Sequence, residues 1–341
     1  MLKQILDGLI ETLAGRQKEI VIQRFGVLNA KLKTLAALGS KYDVTRERIR
    51  QIESTALKGL VKYAEEDNSL KNAYAKCIDH IKNLGGVRRA DYLVEDLRLV
   101  LRDPGISHSY IELLFSIFDA PVLFPENKDF YSFWYLDSEQ VKESKKFISK
   151  ISQVMKNKKE ALIDKKQFDQ IFSQTTKTSS VNDFVALNFI LNSKNFSVNP
   201  FGDFGLIEWP EINPKTVRDK SYLILKKVHA PLHFRDIAKE INKVKFDSKK
   251  AHPQTVHNEL IKDQRFVLVG RGLYSLREFG IEPGTAREIL TKILKKSGPA
   301  HLDKIVQLVS EQRVLKHNTI LLNLQNKKHF KKLSDGRFHL A

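Results

Sequence analysis

TLAALGSKYDVTRERIRQIESTALKGL, residues 34–60, decides how the amino-terminal part of this chain folds. Ile49, Ile52, Ala56 and Leu60 recur at helical spacing and predict an amphipathic helix with a narrow apolar stripe. Thr45 has the chemistry of its N-cap, and Val44 and Ile49 occupy the two positions of a hydrophobic staple. Arg46, Glu47, Arg50 and Gln51 then fall on the opposite side, in the first turns of a helix fixed at its start. Long donors with one acceptor in that place suit the reading of base edges in a major groove. Upstream, Thr34 to Gly39 predict a short helix and Tyr42-Asp43 a tight turn. Ala37 and Gly39 are small enough for the two helices to cross closely. The pattern is a helix-turn-helix.

Arg24-Phe25-Gly26, Thr34-Leu35, Gly39 and above all DVTRERIRQIE at 43–53, followed by Ala56-Leu57, resemble region four of housekeeping sigma factors of bacterial RNA polymerase. The resemblance covers roughly residues 9 to 62. It implies recognition of a −35 promoter element, with Arg46, Glu47 and Gln51 facing bases and Thr34, Thr45, Arg48 and Arg50 nearer the backbone. It also implies a core-polymerase docking face on the first helices, with Ile20, Val21, Arg24 and Phe25 as candidates; filling the small core is the other reading of these residues, and the stronger one for Val21 and Phe25. The chain departs from the family at Ala36 and Ala37, where sigma factors carry carboxylates. No core-binding or strand-melting segment precedes the motif, so a complete sigma factor is not expected.

Charge is unevenly spread. Residues 1–65 hold 12 Lys+Arg against 7 Asp+Glu, residues 66–215 hold 20 against 21, and residues 216–341 hold 26 against 12, within a formal total of +18. Basic ends around a neutral middle point to two nucleic-acid contacts, so double-stranded DNA is the expected partner. No apolar run reaches the length of a bilayer span, no secretion signal is present, and no amphipathic helix pairs a basic with a large aromatic face. Cys77 is the single cysteine, which excludes an intrachain disulfide. A cytoplasmic, nucleoid-associated protein is expected, with no membrane and no small-molecule substrate.

The carboxy-terminal part repeats a unit. Residues 220–241 carry two helical patterns separated near His229-Ala230-Pro231, and a third helix starts at Pro253, a permitted first-turn position. RFVLVGRGLYSL then alternates, turns at Gly270-Arg271-Gly272, and alternates again: three helices and a hairpin make a winged helix. Residues 285–341 repeat the pattern, and HFKKLSDGRFHL aligns without a gap, matching Phe330 to Phe266, Gly336 to Gly272 and Leu340 to Leu276. Weaker echoes lie at 69–136 and 139–209, where a plain helical spacer is the alternative. SYLILKKVHAPLHFRDI and RFVLVGRGLYSLREFG resemble the HARE-HTH domain, the winged helix of the RNA polymerase delta subunit. That domain also occurs in chromatin and DNA-modification proteins, so the resemblance implies contact with DNA or with polymerase.

The expected architecture is mainly α: a helix-turn-helix at 1–65, helical or degenerate winged-helix segments at 66–137 and 138–215, a HARE-HTH-like winged helix at 216–280, and a second at 284–341. Gln254, Thr255, His257 and Asn258 line the third helix of the first basic unit, with Arg271 and Arg337 in the wings, as DNA contacts. Metal sites are not expected: His229 and His233 are separated by a helix-breaking Pro231, His233 suits a packed or capping role, and there is no HExxH. No phosphate-binding loop and no catalytic set stands out; Asp129 with Glu143 and Lys145 only faintly resembles a nuclease carboxylate set. The aromatic run 130–135 has the composition to stack bases but neutral surroundings that favour core. The expected function is a non-enzymatic, cofactor-free, sequence-specific transcription regulator working with RNA polymerase core. A DNA-sensing subunit of a defence system and a polymerase-binding adaptor are the alternatives.

Overall fold

The computed structural model describes residues 2–280, 284–310 and 315–341. Four helices open the chain: α1 (Leu2–Glu11), α2 (Gly15–Phe25), α3 (Leu35–Tyr42) and α4 (Arg46–Glu66). Helices α3 and α4 form the helix-turn-helix. Its turn is made by Asp43 in the left-handed conformation (φ 52°), with its N–H bonded to the Gly39 carbonyl. Gly39 allows the close approach: a Cβ there would stand 2.7 Å from the Val44 carbonyl oxygen. Ala37, expected at the crossing, lies exposed on the outer side of α3 instead.

A unit of helix, strand, two helices and hairpin follows: α5 (Asn68–Asn83), β1 (Val87–Arg89), α6 (Ala90–Val100), α7 (His108–Phe118), β2 (Val122–Phe124) and β3 (Phe133–Tyr135). Its antiparallel sheet runs in the order β1-β3-β2. Next come α8 (Ser138–Asn157), α9 (Lys159–Ile163), α10 (Phe168–Ser179), α11 (Asp183–Leu191) and the hairpin β4 (Phe196–Val198) with β5 (Phe204–Leu206). Then α12 (Val217–Val228), β6 (Leu232–His233), α13 (Phe234–Val244), α14 (Pro253–Lys262), β7 (Phe266–Gly270) and β8 (Leu273–Leu276) recover the first pattern, with β6 pairing β8. The last copy is α15 (Ala286–Ser297), α16 (Leu302–Ser310), α17 (His317–Leu324), β9 (Phe330–Lys332) and β10 (Phe338–Leu340). The fold is therefore mainly α with small antiparallel wings.

The two carboxy-terminal wings agree in register. Phe266 faces Leu276 across one hairpin and Phe330 faces Leu340 across the other. Gly272 (φ 69°) and Gly336 (φ 85°) take the left-handed backbone at the turns. A short strand between the first two helices pairs with the second wing strand as β1 and as β6, and a single bridge from Ala300 to Phe338 does the same in the last copy. This strand escapes sequence reading because two or three residues carry no alternation. In each case it ties the wing to its own three helices.

The chain separates into two compact units, one running to Ser197 with Phe204–Ile207 and the other holding Val198–Asp203 with Glu208–Ala341. In the first, one core crosses the end of the helix-turn-helix. Leu6, Ile10, Val21, Phe25, Leu60 and Ala64 pack with Leu70, Ile81, Tyr110, Ile111 and Leu114. Polar ties reinforce the seam: the Tyr110 hydroxyl donates to Asp7 Oδ1 at 2.6 Å, and the Lys3 N–H donates to Asp103 Oδ2 at 3.0 Å. Helix α7, at the place of a winged helix's third helix, is thus consumed as core.

That seam decides between docking face and core for the candidates on α2 in favour of core. Ile20 and Val21 are 0 % exposed and Phe25 is 3 %, because α2 is enclosed by α3, α4 and α7. Of the four residues only Arg24 reaches the surface, with its Nε 3.4 Å from a Glu53 carboxylate oxygen.

A second seam joins α11 to the preceding unit. Arg88 grips Asp96 with two hydrogen bonds (2.6 and 2.9 Å) and donates a third to Asn188 Oδ1, while Asn188 Nδ2 donates to the carbonyls of Leu84 and Val87. Burial pushes the Asp96 carboxyl up, but hydrogen bonds from His80 and Arg88 outweigh it and hold the group below its ordinary value. The aromatic run belongs to these seams: Phe133 and Trp134 are buried, and the guanidinium of Arg89 lies 3.7 Å from the Tyr131 ring centre.

Because the helix-turn-helix shares its core, a fragment of residues 1–66 leaves the apolar sides of α1, α2 and α4 in water. It is expected to melt without a cooperative transition, whereas residues 1–137 melt cooperatively. Circular dichroism on the two fragments decides this, and a cooperative transition for 1–66 would show that α7 is dispensable.

Candidate nucleic-acid interface

The start of α4 is fixed from both sides. Thr45 Oγ1 accepts the Arg48 N–H at 3.1 Å, and Ile49 packs into a small core with Ile20 and Leu38, supported by Val44 and Ile52. Fixing the cap and the first buried residue leaves Arg46, Glu47, Arg48, Arg50 and Gln51 exposed. Two pairs organise them. Arg50 binds Glu47 through Nη2 at 2.6 Å and Nε at 2.9 Å, and Arg48 Nη1 donates to Gln51 Oε1 at 3.2 Å. The Arg50 guanidinium holds the Glu47 carboxyl below its ordinary value, so the acceptor is ionised across the neutral range.

Thr34 caps α3 in the same way, its Oγ1 accepting the Ala37 N–H at 3.2 Å. A cleft of about 340 Å³ lies between the starts of α3 and α4, lined by Arg24, Thr34, Leu35, Ala36 and Arg46. Two guanidinium groups beside first-turn N–H groups suit a backbone phosphate. The sequence pattern assigns Arg24 only to a docking face; its place here follows from the turn between α2 and α3, a non-local feature. Near it, burial raises the Glu53 carboxyl against the opposing pull of Arg24.

In the second compact unit, Gln254, Thr255 and Asn258 are exposed on α14, with Gln254 Nε2 donating to Asn258 Oδ1 at 3.3 Å. His257 is turned elsewhere. It is half-buried, its ring centre lies 4.7 Å from that of Phe234, and its Nδ1 shares a hydrogen bond with the buried Tyr274 hydroxyl at 3.1 Å. It ties α14 to the wing. His233 caps α13, its Nδ1 accepting the Arg235 N–H. Arg271 is exposed at the turn of its wing, whereas Arg337 is held by Asp335 at 2.6 Å. The two wings thus differ: one presents a cation, the other an ion pair.

Helix α14 itself carries little positive charge, since Glu259 engages both Arg218 and Lys262. The cations lie beside it: Lys239, Lys243, Lys245, Lys249 and Lys250 are exposed along the end of α13 and the following loop. Sequence counting finds this charge for the segment but not its place, which depends on where α13 stops. Among the described residues, no group of three His, Cys, Asp or Glu is placed to hold a metal ion, and no helix is long and apolar enough to cross a membrane.

Comparison with known proteins agrees with this division. Residues 9–61 match the family model described as "Sigma-70, region 4". Residues 215–279 match the HARE-HTH family model, a helix-turn-helix domain whose description names ASXL and restriction endonuclease. Among curated relatives, RNA polymerase sigma factor SigA1 of Synechococcus elongatus is 42 % identical over 60 residues, which are 18 % of this chain and 15 % of the relative. SigA of Lactococcus lactis subsp. cremoris is also 42 % identical over 60 residues, 18 % of this chain and 16 % of the relative. Sigma factor sigB of Arabidopsis thaliana is 39 % identical over 70 residues, 20 % and 12 % respectively. The chain thus spans only a small fraction of these relatives. What it shares with them is one domain, residues 9–61, which resemble sigma-70 region 4; separately, residues 215–279 resemble a HARE-HTH domain.

Proposed function

We propose that this chain is a DNA-binding transcription regulator that selects a −35-type sequence through α4 and holds DNA nonspecifically through its basic carboxy-terminal unit. The observation that carries the reading is the capped, anchored start of α4 with Arg46, Glu47 and Gln51 exposed, within the segment that matches region 4. An adaptor without its own DNA specificity has no use for that set. The reading is non-enzymatic and calls for no cofactor. Association with RNA polymerase core is part of it, because the curated relatives are named as polymerase sigma factors. The burial of Ile20, Val21 and Phe25 gives no support to a contact through those three side chains. The restriction-endonuclease part of the second family's description favours one further reading, a DNA-sensing subunit of a defence system.

Replacing Arg46 or Gln51 with Ala in the full chain is expected to cost about 1–3 kcal/mol on the best duplex and to relax its selectivity there. Arg50→Ala weakens all duplexes by a similar factor. Selection from a random duplex pool, followed by titration of the winner, reads both; a pool that yields no preferred sequence defeats the base-reading role.

The carboxy-terminal unit, residues 208–341, is expected to bind duplex DNA through four to six phosphates, giving a slope of log K on log salt of roughly −4 to −5. Arg271→Ala lowers that slope by about one, while Arg337→Ala changes it less because Asp335 already neutralises the group. Salt-independent binding would assign this surface to a protein.

Core polymerase subunits should co-purify with the tagged protein and persist after nuclease treatment. Their loss with nuclease would leave a free-standing DNA-binding protein and favour the defence-system reading.

A further inference from the structure

Helix α11 occupies the position of a winged helix's third helix, yet its outward side is apolar. Phe184 is 62 % exposed, Leu187 43 % and Leu191 41 %. Their spacing of three and then four residues puts them on one face. Ala186, Phe189 and Ile190 are buried on the other side. The helix has no Lys or Arg, and its one charged residue, Asp183, sits in the first turn. Such a face offers nothing to a phosphate. Nor is the helix free to roll its apolar face inward, because Asn188 is pinned to the carbonyls of Leu84 and Val87.

We propose that this face is where a second copy of the chain docks, α11 against α11 in antiparallel sense. Two observations select that occupant. The stripe is nearly symmetric about Leu187, so an antiparallel copy sets Leu187 against the partner's Leu187 and Phe184 against the partner's Leu191. A two-fold contact requires such self-complementarity. Second, the stripe lies in the segment 66–215, whose 20 basic and 21 acidic residues balance, while the net positive ends of two chains repel each other.

The three side chains offer an area on the order of 300 Å² per copy, against roughly 800 Å² per partner in a standard interface. The dimer is therefore weak, with an expected Kd of about 10–100 µM. Sedimentation velocity on the nuclease-treated full chain, over concentrations spanning that range and at low and high NaCl, tests the proposal. A monomer–dimer shift is expected that strengthens with salt as the like-charge repulsion is screened; bridging by residual nucleic acid would weaken instead. Leu187→Glu should remain monomeric throughout with an unchanged circular dichroism spectrum. Should that variant misfold, Phe184→Lys, at the most exposed of the three positions, decides in its place. A wild-type chain that stays monomeric at both salts, or a dimer that folded Leu187→Glu or Phe184→Lys leaves intact, overturns the proposal.

Discussion

The burial of α7 against α1, α2 and α4 is the contact on which the first compact unit depends. A helix-turn-helix of this size has a small core of its own, here Ile20, Leu38 and Ile49. Short chains bury too small a fraction of their surface to offset conformational entropy comfortably. Tyr110, Ile111 and Leu114 belong to a second, larger core that α7 shares with α1, α2 and the far part of α4, and each fully buried large side chain contributes roughly 1.5–3 kcal/mol. The consequence reaches the reading face. α4 is held along its length through Ala56, Leu60 and Ala64, so its first turns are presented by a rigid element rather than by a marginal one.

The recurring run of helices and hairpin shows how little the fold says about the surface. The third helix is core in α7, apolar outward in α11, and polar outward in α14. In every copy the buried side is set by helical periodicity, and function is left to the outward residues. The uneven charge follows the same division for these three: α7 and α11 lie in the neutral segment, and α14, with exposed lysines nearby, lies in the basic one.

Much of this is legible in the residues, for local reasons. The cap at Thr45, the stripe through Ile49 and Leu60, and the alternation on either side of Gly272 and Gly336 are short-range patterns, and the structure places them as read. What escapes is non-local. Val21 and Phe25 carry a helical pattern that suits either a surface patch or a core, and the arrival of α7 from some ninety residues away decides for core, while Ile20 is claimed by Leu38 and Ile49. The same holds for His257, which the third-helix pattern places facing out and Tyr274 and Phe234 draw in. Asp335 stands two residues before Arg337, and hairpin geometry turns that proximity into an ion pair. The aromatic run sits in a stretch that is neutral by charge count, yet Arg89 lies on Tyr131 because β1 pairs with β3.

The pairing of side chains on α4 bears on how specificity and affinity divide in the proposed reading. Glu47 with Arg50 and Arg48 with Gln51 satisfy one another in water, so a base or phosphate must replace these contacts rather than add to them. Exposed pairs of this kind are worth little. Exchanging them on a matched sequence therefore costs little, while a mismatch that breaks a pair without replacing it leaves charged groups desolvated. On that reading such a face discriminates well and holds weakly. Affinity has to come from contacts insensitive to sequence, and the lysines along the end of α13 and the following loop, with Arg271 in its wing, are of that type. On the same reading, a discriminating face and a basic one carried by a single chain raise each other's effective concentration at DNA. The weak reading surface can then choose among sites that the basic surface keeps within reach.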